Sequence, residues 1–137
     1  MTAIDTGLAA EYAAIYAYGA AAVHLDGDPR SQAEALESEH RSRRDVLLDH
    51  YAAAGADAPP PESAYDVGVI GDAATAQDLL TTVEESVAAT WRAGLAATDP
   101  GERQLCLDMY SAAAVALARW RLAVGQPVAD PWPGRPE

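Results

Sequence analysis

The lengths of the connections between helical segments constrain this chain more than any other feature. Four stretches with helical patterning occupy about residues 3–26, 29–54, 73–98 and 100–124. Each would form a rod of roughly 36 Å at about 1.5 Å per residue. The first two are separated by two or three residues around Gly27, and the last two by about as few around Asp99. Links that short force each pair into an antiparallel hairpin. Between the hairpins lies a stretch from Gly55 to about Asp72 containing Pro59-Pro60-Pro61, Gly68 and Gly71. In extended form it reaches roughly 50 Å at about 3.1 Å per residue, enough to cross a whole bundle. The expected fold is all-α: a ferritin-like four-helix bundle, up-down-down-up, with one long crossover between helices 2 and 3. The bundle domain spans 1–125 and a proline-rich tail spans 126–137, which is either pinned to the bundle by Trp132 or mobile.

Local signals support these limits. Thr2 with Asp5, and Asp99-Pro100 with Glu102, read as capping boxes. Asp28-Pro29 reads as an N-cap before a first-turn proline. Thr75 with Asp78 gives a third box, with Asp72 able to start that helix a turn earlier. Gly27, Gly55 and Gly125 are natural helix stops. No stretch alternates as a strand should.

The core has to be built from small side chains, because the chain is alanine-rich and has no phenylalanine. With 21 acidic and 9 basic residues, the net charge of −12 repels phosphate backbones and anionic lipids. The expectation is therefore no nucleic acid and no membrane, and a cytoplasmic location. Neither a signal peptide's basic start nor an apolar run of about 20 residues is present. The lone Cys106, beside Leu105, Leu107 and Met109, reads as a buried, inert thiol. No phosphate loop or nucleophile elbow is found, so nothing points to nucleophilic catalysis.

Several ionisable residues fall on stripes that should be apolar. The seam of helix 1 runs Ile4, Leu8, Glu11, Ile15, Tyr18, Ala22, Leu25. Helix 2 gives Ala33, Leu36, His40, Arg44, Leu47, Tyr51 and Ala54, with Glu37 alongside, and helix 3 carries Glu84 on the flank of its stripe. Charges there are costly unless paired or metal-bound. A di-metal carboxylate site needs a Glu from each of two helices and a Glu-x-x-His from each of the other two. Glu11, Glu37, His40 and Glu84 supply part of that set for iron or manganese, whereas helix 4 offers only Asp108 and Tyr110. Matching levels across the first hairpin puts Glu11 opposite Arg44, with His40 near Ile15 and Glu37 near Tyr18. This favours a buried Glu11–Arg44 ion pair, a metal-free seam and no cofactor.

The segments AEYAAIYAYG (Ala10 to Gly19), EHRSRRDVL (Glu39 to Leu47), EESVAATWR (Glu84 to Arg92) and ALARWR (Ala116 to Arg121) resemble an alanine-rich bacterial ferritin-like family of unknown function. The resemblance implies the ferritin-like bundle and carries no activity with it. A second apolar stripe on helix 1 (Tyr12, Tyr16, Val23) and the broad apolar girth of helix 4 suggest a homodimer. Two functions remain, a metal-free binding or structural protein or a degenerate di-metal oxidoreductase or ferroxidase, with a small-ligand pocket among the Tyr and Trp residues near Glu11 and Arg44 as a weaker third.

Overall fold

The computed structural model describes residues 1–136 and contains four long helices, with no strand among the described residues. They are α1 (Ala3–Ala22), α2 (Gly27–Ala53), α3 (Ala73–Ala93, extended by a 3-10 turn at Gly94–Ala96) and α4 (Pro100–Ala123). No helix among the described residues is long and apolar enough to cross a membrane.

The ends follow from capping chemistry, with some changes from expectation. Thr2 and Asp5 form the reciprocal box that opens α1. α1 stops at Ala22, because His24 and Leu25 tighten onto the carbonyls of Ala21 and Ala22 before Gly27 turns the chain with φ of 59°. Asp28 is not the N-cap of α2. Asp26 holds that backbone position, while Asp28 lies in the first turn, where a negative charge suits the helix dipole. For α3 the box is Asp72 with Thr75, not Thr75 with Asp78: Thr75 N–H donates to Asp72 at 2.8 Å, and Asp72 N–H donates to Thr75 Oγ1 at 3.0 Å. α3 ends short of residue 98, where Gly94 brings it against α4. A Cβ on Gly94 would sit 2.6 Å from Cys106 Sγ. Asp99 then caps α4 through Glu102 N–H at 2.8 Å.

Contacts fix the helix directions. Asp5 meets Tyr51 and Glu11 meets His40, so α1 and α2 are antiparallel. Gly7 lies against Trp91 and Tyr18 against Glu84, so α1 and α3 are also antiparallel. Gly94–Cys106 and Glu85–Arg121 give the same relation for α3 and α4. The crossover returns the chain from the end of α2 to the start of α3, with Tyr65 tilted over Tyr16 at 5.5 Å between ring centroids.

α1 faces two neighbours at once, so its core takes Gly7, Ala14, Ala17 and Ala21, where Ile15 and Ala22 were expected. Small residues allow the close approach to α3; a Cβ on Gly7 would stand 2.0 Å from the Trp91 ring. One apolar cluster gathers Leu8, Leu47, Val87, Trp91, Cys106 and Met109, and a second gathers Leu25, Leu36, Leu80, Ala116 and Trp120. Burial pushes the Cys106 thiol up, as an inert group requires.

The tail lies on the helices, but not through Trp132, which is 59% exposed. Tyr110 donates to the Pro133 carbonyl at 2.6 Å, Asp130 pairs with Arg121, and Gly134 sits against the backbone of Ala88 and Ala89. A side chain at Gly134 would approach that backbone within 2.7 Å, so the close packing falls on a residue that has none.

Candidate functional site

Six fully buried polar or aromatic residues and one nearly buried arginine form a connected layer through the middle of the molecule. Trp120 on α4 donates its indole N–H to Tyr18 Oη on α1 at 2.7 Å. Tyr18 donates to Glu84 Oε1 on α3 at 2.6 Å. His40 on α2 lies between two carboxylates, with Nε2 2.6 Å from Glu84 Oε1 and Nδ1 2.5 Å from Glu11 Oε2. Glu11 Oε1 accepts from Trp91 Nε1 at 2.9 Å and from Arg43 Nε at 3.2 Å. All four helices therefore contribute to one hydrogen-bonded chain.

The protonation state follows from this geometry. A carboxylate oxygen 2.5 Å from a ring nitrogen requires a proton between them, and His40 has such a contact on both sides. Burial alone would lower its pKa, but the hydrogen bonds and charges of Glu11 and Glu84 outweigh burial and raise it from 6.5 to about 9. For Glu11, burial pushes upward, yet the hydrogen bond and charge of His40, then Arg43 and Trp91, bring it below the ordinary carboxylate value. Burial and the neighbouring Glu84 carboxylate drive Tyr18 well above its usual range, so it stays a donor. Arg43 Nη2 lies 2.8 Å from His40 Nδ1, a contact between the edges of two cations that Glu11 holds together. Two carboxylates, one imidazolium and one guanidinium sum to zero, the condition under which a buried charged layer is tolerable.

The structure gathers Glu11, Tyr18, His40 and Glu84 from the sequence candidates and leaves out two. Arg44 is not the partner of Glu11; it bonds its neighbour Asp45 at 2.9 Å on the surface. The buried stripe of α2 runs Ala33, Leu36, His40, Arg43, Leu47, an unbroken alternation of three and four, so Arg43 points inward. Glu37 follows Leu36 by one position, about 100° around the helix. It pairs with Arg41 at 2.9 Å, away from the layer. Tyr18 meets Glu84, not Glu37, because α1 faces α3 at that level.

These donors do not fit a di-metal cage. Both ring nitrogens of His40 are engaged by carboxylates, and Arg43 supplies charge that a cation would otherwise supply. The buried face of α4 is formed by Cys106, Met109, Ala113, Ala116, Leu117 and Trp120. Asp108 is exposed and held by Gln104, and Tyr110 is committed to Pro133. One atom is left over: Glu84 Oε2 is buried and has no hydrogen-bond partner.

Comparison with known proteins gives similar architecture without an activity. The chain is 28% identical to a conserved hypothetical protein, Rv2844, from Mycobacterium tuberculosis. The crystal structure of that protein superposes with a TM-score of 0.83 over 96% of this chain and 94% of the other. No curated protein matches the chain. Residues 3–137 match the family described as a domain of unknown function, DUF4439, and the chain belongs to that family.

Proposed function

We propose that this chain is a ferritin-like, up-down-down-up bundle in which a neutral charge layer occupies the place of a metal cage. On this reading it works in the cytoplasm as a metal-free binding or structural protein. The observation that carries it is His40, held through both ring nitrogens by Glu11 and Glu84 and flanked by Arg43. The three antiparallel helix pairs and the full-length crossover support the ferritin-like topology. A competing reading is an iron or manganese carboxylate oxidoreductase or ferroxidase drawing on Glu11, His40 and Glu84. Glu84 Oε2, buried and unpartnered, is the one feature that favours it.

The two readings separate on elemental analysis of protein produced with added iron and manganese. The metal-free reading expects far less than one ion per chain, unchanged in Glu84→Gln. One or two ions per chain that disappear in Glu11→Gln and Glu84→Gln would establish the competing reading.

The protein is further proposed to pair as a homodimer through α4. Of the α1 stripe, Tyr12 packs on the core, while Tyr16, leaning on Tyr65, is still 40% exposed and Val23 is 72% exposed. On α4, Leu107, Val115 and Leu122 are exposed at helical spacing. Light scattering after size exclusion should give twice the 14.3 kDa chain mass, and Leu122→Asp should halve it.

A further inference from the structure

The outer side of the α1–α3 pair differs from the charge layer on its inner side. Ala10, Ala13 and Ala17 on α1 face Leu79, Val83 and Val87 on α3, and alanines leave this groove unfilled. The crossover passes over the groove, with Tyr65, Asp66 and Val67 on the cavity's lining, and it is braced on itself. Tyr65 Oη accepts from Glu62 N–H at 2.9 Å, and Asp66 Oδ1 accepts from Gly68 N–H at 2.9 Å. Tyr65 also leans on Tyr16. A cavity of about 280 Å³ remains beneath, near the lower end of the roughly 300–1,000 Å³ of small-ligand sites.

We propose that this cavity is a binding site for a small organic cation with an apolar body, of the arylalkylamine class. Among the described residues, Asp66 is the only charged one on its lining. With Oδ1 held by the turn at Gly68, Oδ2 is left for an ammonium group. Tyr65 lines the same cavity and would add a cation–π contact to the same charge. No basic side chain lines the cavity, and the chain's charge of −12 concentrates cations and repels anions. The alanine, valine and leucine walls exclude a hydrated metal ion and suit an aryl or alkyl body, while Thr82 and Ser86 at the mouth provide hydroxyls for orientation. The site shares no residue with the charge layer, so it stands or falls independently of the metal-free reading.

Calorimetric titration at fixed ionic strength with phenethylammonium, 2-phenylethanol and 3-phenylpropanoate tests the proposal. The ammonium compound should bind about tenfold more tightly than the alcohol, a gap within reach of one ion pair plus one cation–π contact, and the carboxylate should bind least. Asp66→Asn should bring the ammonium and alcohol affinities together. Ala13→Leu, which fills the floor, and Thr82→Leu, at an exposed position that leaves the core intact, should each weaken both ligands about tenfold. No binding, equal binding of all three probes, an ammonium preference that survives Asp66→Asn, or indifference to both leucine substitutions would each overturn it.

Discussion

Helix α2 carries the same chemistry on two sides, and only one side is inside the protein. Within the run His40 to Asp45, Arg41 and Arg44 reach outward to Glu37 and Asp45, each at 2.9 Å. His40 and Arg43 reach inward to Glu11 and Glu84 at 2.5 to 3.2 Å. The distances hardly differ, but the surroundings do. An exposed pair exchanges solvation by water for solvation by its partner and gains about 0–1 kcal/mol. A buried group has no water to return to, so removing its partner costs about 3–5 kcal/mol. What separates the two sides is which residues have lost their solvent.

The most severe test is His40→Leu. It leaves Glu11 and Glu84 buried with Arg43 as their only cation, and Glu84 keeps only the Tyr18 hydroxyl. Urea unfolding at pH 7 should show a loss of about 3–5 kcal/mol. The deficit should shrink as pH falls and the stranded carboxylates take up protons. A loss under about 1 kcal/mol would mean that the inner side behaves like the outer one.

The next effect is set by pH. The folded-state pKa of His40, about 9, stands above its ordinary 6.5, so the folded chain holds an extra proton between those values. The stabilisation is complete below pH 6.5 and is lost as pH rises through 9, on the order of 3 kcal/mol in all. Glu11 acts in the opposite direction: its pKa is lowered, so its contribution is present above the ordinary carboxylate value and is lost in acid. Denaturation midpoints should therefore fall on both sides of neutrality, and the fall between pH 6.5 and 9 should vanish in His40→Leu, leaving the fall above pH 10 that the raised Tyr18 phenol contributes. A fall between pH 6.5 and 9 that persists in the variant would assign it to other groups.

Much of this arrangement was legible in the sequence, and the rest was hidden for physical reasons. The capping residues at Thr2 and Asp99 and the contrast in connection lengths are local signals, and the helices begin and turn where those signals lie. Glu11, His40 and Glu84 stood out because a charge on an apolar stripe has few explanations. Arg43 and Arg44 are adjacent, and choosing between them needs the angle of α2 to within about half of the 100° step between residues. The alternation Ala33, Leu36, His40, Arg43, Leu47 carried that angle, whereas placing Arg44 on the stripe requires two steps of four in succession. Trp91 and Trp120 act as donors only because α1 lies between α2 and α3 at the right height, which no local pattern encodes. A stripe chosen by bulk takes Ile15 and misses Ala14 and Ala17, because this helix packs by closeness.

The smallest expected effect discriminates well between the two faces because the compared residues are neighbours. Arg44→Ala removes a surface pair with Asp45, which is itself largely exposed, and should change the unfolding free energy by less than about 0.5 kcal/mol. Arg43→Ala removes the guanidinium that holds Glu11 Oε1 and leaves the layer with a net negative charge, since two carboxylates then face one imidazolium. Its cost should be several times larger, and it should drive His40 to hold its proton to higher pH, because the competing cation is gone. A histidine titration followed by NMR in the Arg43→Ala protein reads that shift directly. Equal stability losses in the two alanine variants, or a His40 titration that moves downward, would show that burial is not what distinguishes the two faces of α2.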